Sequence, residues 1–244
     1  CGHAVGAGRR RVDGFRILEV LHEGYSSILC RAAAEATGQI VMLRLFTPRS
    51  GVDAAIAQRL RDELAVLQRL PEDYFVRHLD IRQARDGLWF RVSEWLEAEN
   101  WGALVASGYF RDHRAAFALF HRVAAILDGL HRIGHIIPHL ILDDIIVFRD
   151  PQGRLQVKID YKLSRFLDPR LDRPGPMLKK LLDTHPDIRQ RRPLDVRSAV
   201  WSLGKIFLEL LSADLETNAC RERVPQLQAP QRVRDLLLAM LADD

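Results

Sequence analysis

Polar and apolar residues change period along this chain, and the change divides it in two. Phe15 to Leu21 alternates apolar and polar positions, as a half-buried strand does. A turn is expected at His22-Glu23-Gly24, followed by a second strand from Ser27 to Ala32. Thr37-Gly38 marks the next turn, and Gln39 to Phe46 forms a third run rich in β-compatible residues. From Val52 to Leu70 the apolar positions Ile56, Leu60, Leu64, Leu67 and Leu70 follow helical spacing, and Pro71 closes that helix. Gly87 to Leu96 reads as a further buried strand pair ending at Glu94.

Beyond Asn100 the pattern is mainly helical. Ala115 to Ile133 predicts a long amphipathic helix, with Gly134 placed as its C-terminal cap. Ile145 to Phe148 and Leu155 to Ile159 flank Asp150-Pro-Gln-Gly153, a hairpin signal. Val196 to Leu211 predicts the most apolar helix, and Gln231 to Leu241 another. Between Phe166 and Pro193 a Pro- and Arg-rich stretch with weak periodicity predicts a long surface segment. The chain has no internal repeat.

At 244 residues and 48% hydrophobic composition, the chain can bury a sizeable core. No apolar run reaches the roughly 20 residues needed to span a bilayer, so a soluble, cytoplasmic protein with no membrane partner is the expectation. The start of the chain lacks a secretory signal. It opens on Cys1 rather than Met, which implies a fragment or a processed chain. The three cysteines, Cys1, Cys30 and Cys220, have no metal-ligand spacing, which fits a reducing compartment. The net charge of +4 is carried almost wholly by arginine, densest at Arg9-Arg10-Arg11 and Arg189-Gln190-Arg191-Arg192. Aromatics are not interleaved with those arginines and acidic residues nearly balance them, so a solvated surface is expected and no nucleic-acid partner. The Arg-, Ala- and Leu-heavy usage points to a bacterial source.

Short motifs, in order and at matching separations, resemble those of the protein kinases from about residue 13 to the end. The stretch Leu21 to Leu29 resembles the glycine-rich loop, with Gly24 kept from G-x-G-x-x-G and His22 and Ser27 in the outer places. Val41-Met-Leu-Arg44 resembles V-A-I-K, with Arg44 for the phosphate-gripping lysine and Met42 for the small residue over adenine. Glu63 matches the helix glutamate that pairs with that lysine. Ser93 and Glu94 match the gatekeeper and the start of the hinge. In Ile137-Pro138-His139, the H-R-D of the catalytic loop is replaced throughout, and Asp144 stands for its metal-binding Asn. Asp160-Tyr161-Lys162 resembles D-F-G, and Thr184-His-Pro-Asp187 resembles A-P-E. Val200-Trp-Ser-Leu-Gly204 is close to D-x-W-S-L-G, with Ala199 for the family's buried aspartate.

The resemblance implies an α+β, bilobal fold. A tail (1–12) would precede a small antiparallel N-lobe with one helix (13–97) and a mainly helical C-lobe (98–244) that stops before the last helix. It also implies an Arg44–Glu63 ion pair and an apolar column of Leu67, Ile137 and Tyr161. The residues lost are those that touch phosphate, metal or the attacking hydroxyl. Packing positions persist, as expected of a chain that needs the fold and not the chemistry.

The expected function is therefore that of a catalytically inactive pseudokinase, a bacterial protein-binding, scaffolding or regulatory module, with no cofactor. Its partner would be another protein or an adjacent domain of a longer chain. The alternatives are a nucleotide sensor and a divergent transferase such as an AMP-transferring enzyme. For these, Gly24, Arg44, Glu94 and Asp160 would contact weakly bound ATP, and Asp144 and Asp160 would hold magnesium. His139 as a general base, and His131 with His135 as a metal pair, are set against plain structural histidines.

Overall fold

The computed structural model describes residues 10–24, 27–67, 69–137, 140–160, 186–189, 193, 195–213 and 221–242, without the side chains of Arg49, Glu63, Leu67, Ile188 and Arg189. These residues fall into two compact units that part between Glu97 and Ala98.

The first unit is an antiparallel sheet in the order β1-β2-β3-β4-β6-β5 with one long helix. Its strands are β1 (Arg11–Val12), β2 (Phe15–Glu23), β3 (Ser27–Ala34), β4 (Ile40–Phe46), β5 (His78–Gln83) and β6 (Trp89–Glu94). The sheet begins inside the stretch expected to be a tail, because Val12 is only 1% exposed and pairs with Phe15. Strand β2 runs on through His22 and Glu23, where a turn was expected. Register shifts after Ile17 and Val20 absorb the break in alternation and let the ladder continue. Odd positions of β4 (Val41, Leu43, Leu45) pack with Cys30, Phe90 and Val92 in the core, leaving Met42 and Arg44 on the opposite face. Burial pushes the Cys30 thiol up to about 11, with Glu23 adding to the shift.

Helix α1 (Ala54–Leu67) is shorter at both ends than its apolar spacing predicts. Asp53 starts it by accepting the Ile56 N–H at 2.8 Å. At the other end the chain leaves the helix ahead of Pro71, which disfavours helical backbone at the residue before it. Arg61 docks the helix on the sheet, donating from Nε and Nη2 to the Ile81 carbonyl at 3.1 and 2.8 Å.

The second unit holds α2 (Trp101–Ala106), α3 (His113–Arg132), the hairpin β7 (Ile145–Arg149) and β8 (Leu155–Ile159), α4 (Pro186–Arg189), α5 (Val196–Ser212) and α6 (Gln231–Met240). Asp112 caps α3 through the Arg114 N–H, and Gly134 follows its end at φ +79°. One stripe of α3 (Leu119, Val123, Ile126, Leu130) is buried. Phe117 and Phe120 close on Phe207 of α5 with ring centroids 5.1 and 4.4 Å apart. Helix α5 is buried along most of its length, as its composition predicts. Among the described residues no helix is long and apolar enough to cross a membrane.

Candidate functional site

Two half-sites follow from the motifs, one on each unit. On the first, the end of β2 and the start of β3 are bonded to each other beside Gly24. The Gly24 N–H donates to the Ser27 carbonyl at 2.9 Å, so an amide that could face a phosphate is already bonded. A Cβ placed on Gly24 would lie 3.2 Å from that carbonyl oxygen and 3.3 Å from His22 Nε2. The His22 imidazole therefore crowds the one glycine the motif retains.

Arg44 turns to the same loop. Its Nη1 donates to Ser27 Oγ at 3.2 Å. Ser27 replaces the third glycine of the loop motif, so a residue that opens the cradle in kinases here supplies a side chain that engages the cation. Across the sheet, Arg44 stands directly opposite Arg91 of β6, and Arg91 is 3% exposed. One sheet face thus carries two arginines where the resemblance placed a single lysine. Sequence reasoning missed Arg91, although an arginine inside the apolar run Leu88 to Val92 was the available signal. The glutamate expected to pair with Arg44 is Glu63, whose side chain lies outside the described residues.

The hinge residues are tied into the sheet. The Glu94 carboxylate accepts the Arg77 N–H and the Glu94 N–H donates to the Arg77 carbonyl, both at 2.9 Å. Ser93, buried at 1% exposure, shares a 3.1 Å hydrogen bond with His78 Nδ1. On the same face Arg31 stacks over the Trp95 ring at 5.4 Å.

On the second unit Asp144 and Asp160 are adjacent. The Asp160 N–H donates to the Asp144 carbonyl at 2.8 Å, and both residues are buried. Asp144 closes the short 3-10 turn Leu142–Asp144, with Oδ2 accepting the Ile141 N–H at 3.3 Å. The backbones of two aspartates meet here, and the described residues gather no group of three or more His, Cys, Asp or Glu able to hold a metal. That donor set falls short of a cation cage built by protein alone, and no step is routed through a metal. Among the described residues no third ligand joins His131 and His135. His131 is held below the usual imidazole range by burial, which outweighs the opposing pull of Asp128.

His139 and Pro138 lie outside the described residues, as do Tyr161, Lys162, Thr184, His185 and most of 166–193. Of the apolar column only Ile137 has a described side chain, and it is buried. Asp187, the last residue of the A-P-E-like motif, accepts a hydrogen bond from Ser198 Oγ at 2.5 Å. Ser198 also accepts the Asp195 N–H at 3.2 Å, so one buried hydroxyl caps α5 and anchors α4. Ser198 was not foreseen as the partner of this carboxylate.

No protein-family model matches the chain, and no curated protein matches its sequence. Solved structures do match. The PknI kinase domain of Mycobacterium tuberculosis superposes with a TM-score of 0.66 at 15% identity, over 99% of this chain and 92% of that one. A double mutant of that domain superposes at 0.70 and 14% identity over the same shares. At such identity the likeness shows the fold alone, a protein-kinase-like fold with an antiparallel sheet and one helix followed by a helical part.

Proposed function

We propose that this kinase-fold chain is catalytically inactive and serves as a protein-binding or scaffolding module of a bacterial cytoplasmic protein. The observation that carries the reading is Ser27. Its hydroxyl engages Arg44 and its carbonyl engages Gly24, so the loop and the cation that would hold phosphate are bonded to each other. A phosphate would have to compete with these contacts for the Gly24 amide and for Nη1 of Arg44. Arg44 is moreover a poor substitute for lysine, being planar and suited to forked pairing rather than to a point contact. The partner in this reading is another protein or an adjacent domain.

One observation favours a second reading, a nucleotide sensor or divergent transferase. Asp144 and Asp160 remain side by side, held by a backbone hydrogen bond. A nucleotide-bound magnesium would need carboxylates such as these two residues carry.

A thermal-shift titration with ATP and ADP, with and without magnesium or manganese, separates the two. A ligand at 100 times its dissociation constant stabilises by about 2.7 kcal/mol, a melting shift of a few degrees. No shift at millimolar nucleotide is the expected result. A metal-dependent shift abolished in Asp160→Asn would overturn the inactive reading in favour of the second.

A further inference from the structure

The first unit contains a cavity unrelated to the kinase motifs. It lies between the end of α1 and the start of β5 and has a volume of about 320 Å³. That is the lower end of the size range of small-molecule sites. Its floor is apolar: Leu64, Phe75 and Val76 are 9%, 6% and 2% exposed, and Leu70 and Pro71 extend it.

Two opposite charges stand on its wall, Glu72 and Arg77. Both residues are exposed, and neither side chain has a hydrogen bond or ion pair among the described residues. They are not paired to each other, so a cation and an anion flank one apolar hollow with both charges available. An apolar ligand without charge would leave the pair unused. A simple anion would gain Arg77 and be opposed by Glu72, and a simple cation would meet the reverse. A zwitterion with an apolar body uses all three features.

We propose that this cavity binds a small apolar zwitterion, of which a free apolar α-amino acid is the simplest class. The carboxylate would pair with Arg77, the ammonium with Glu72, and the side chain would enter between Leu64, Leu70, Phe75 and Val76. The cavity wall is joined to the hinge by direct bonds. The Arg77 N–H donates to the Glu94 carboxylate, the Arg77 carbonyl accepts the Glu94 N–H, and His78, also in the wall, bonds Ser93. A bound ligand therefore sits one residue away from the hinge strand. The proposal is independent of whether the chain turns over nucleotide.

The test is a thermal-shift and NMR titration with L-phenylalanine, against 3-phenylpropionate (no ammonium) and phenethylamine (no carboxylate). L-phenylalanine is expected to bind saturably, at least about tenfold more tightly than either analogue, which is 1.4 kcal/mol. Arg77→Gln is expected to abolish the preference over phenethylamine while leaving the preference over 3-phenylpropionate. Glu72→Gln is expected to weaken L-phenylalanine and strengthen 3-phenylpropionate. Leu70→Trp, which fills the hollow, should remove binding of all three. Should Leu70→Trp misfold, the two exposed charge variants still decide. No saturable L-phenylalanine binding up to about 10 mM would overturn the proposal. So would affinity unchanged within about twofold in both Arg77→Gln and Glu72→Gln.

Discussion

Arg44 and Ser27 are joined across β4 and β3 by a 3.2 Å hydrogen bond from Nη1 to Oγ. The bond links two departures from the kinase pattern that look independent in sequence, since one changes a lysine and the other a glycine. In the fold they are one change. A hydroxyl at position 27, the first residue of β3, gives the long guanidinium a partner beside Gly24. A double-mutant cycle of Ser27→Ala and Arg44→Gln should therefore show coupling of about 1 kcal/mol. Additive effects would mean the contact contributes nothing to stability. If that contact is what excludes nucleotide, Ser27→Gly with Arg44→Lys should acquire a measurable ATP-dependent shift that neither single change confers.

Ser198 makes a comparable economy in the second unit. One hydroxyl, fully buried, donates to Asp187 and accepts from the Asp195 N–H. Removing it takes one hydrogen bond from a part-buried carboxylate and one from a part-buried amide, a cost of about 1–2 kcal/mol. Ser198→Ala should lower the melting temperature by several degrees. Ser198→Thr keeps the oxygen and should recover part of the loss. A wild-type melting temperature for Ser198→Ala would remove Ser198 as the anchor of α4.

Much of the fold was legible because periodicity reports burial directly. Helices α3 and α5 and the β7–β8 hairpin lie within a residue or two of where apolar spacing and turn residues put them. Strand β5 was missed for the same physical reason. It is an edge strand whose pattern buries only Ile81, with Leu79 and Asp80 facing water, so no alternation marks it. Helix α1 was drawn too long because Leu70 keeps the helical period after the backbone has left the helix. At the site, identity was readable and partnership was not. The replacement of lysine by Arg44 is a sequence fact, but its bond to Ser27 depends on a β3–β4 register that sequence does not display. The same holds for Arg91 opposite Arg44 and for Ser198 beneath Asp187.

Gly204 marks where α5 and α6 cross most closely. A Cβ there would lie 2.8 Å from the Cβ of Met240, closer than packed carbons approach. Gly204→Ala should destabilise by about 1–3 kcal/mol despite the better helix propensity of alanine, because the two backbones must separate. Met240→Gly in the same chain should relieve the clash and return part of that stability. A stabilised Gly204→Ala would show that the helices part freely at this point.

His131 makes stability depend on pH. Its Nε2 is buried without a hydrogen-bond partner among the described residues, and burial holds its pKa below the ordinary imidazole value. Between the folded and unfolded values the unfolded chain binds more protons, so stability rises with pH across that window. The contribution is fully present above about pH 6.5 and is lost as pH falls through the folded value. Asp128, which pairs with Arg132 at 2.7 Å, works in the opposite direction and limits the shift. Melting curves from pH 8 to pH 5 should therefore fall less steeply in His131→Gln than in wild type, while Asp128→Asn should steepen the fall. Parallel curves for wild type and His131→Gln would mean that His131 is hydrated in the native state, and that the acid sensitivity of the second unit lies in other groups.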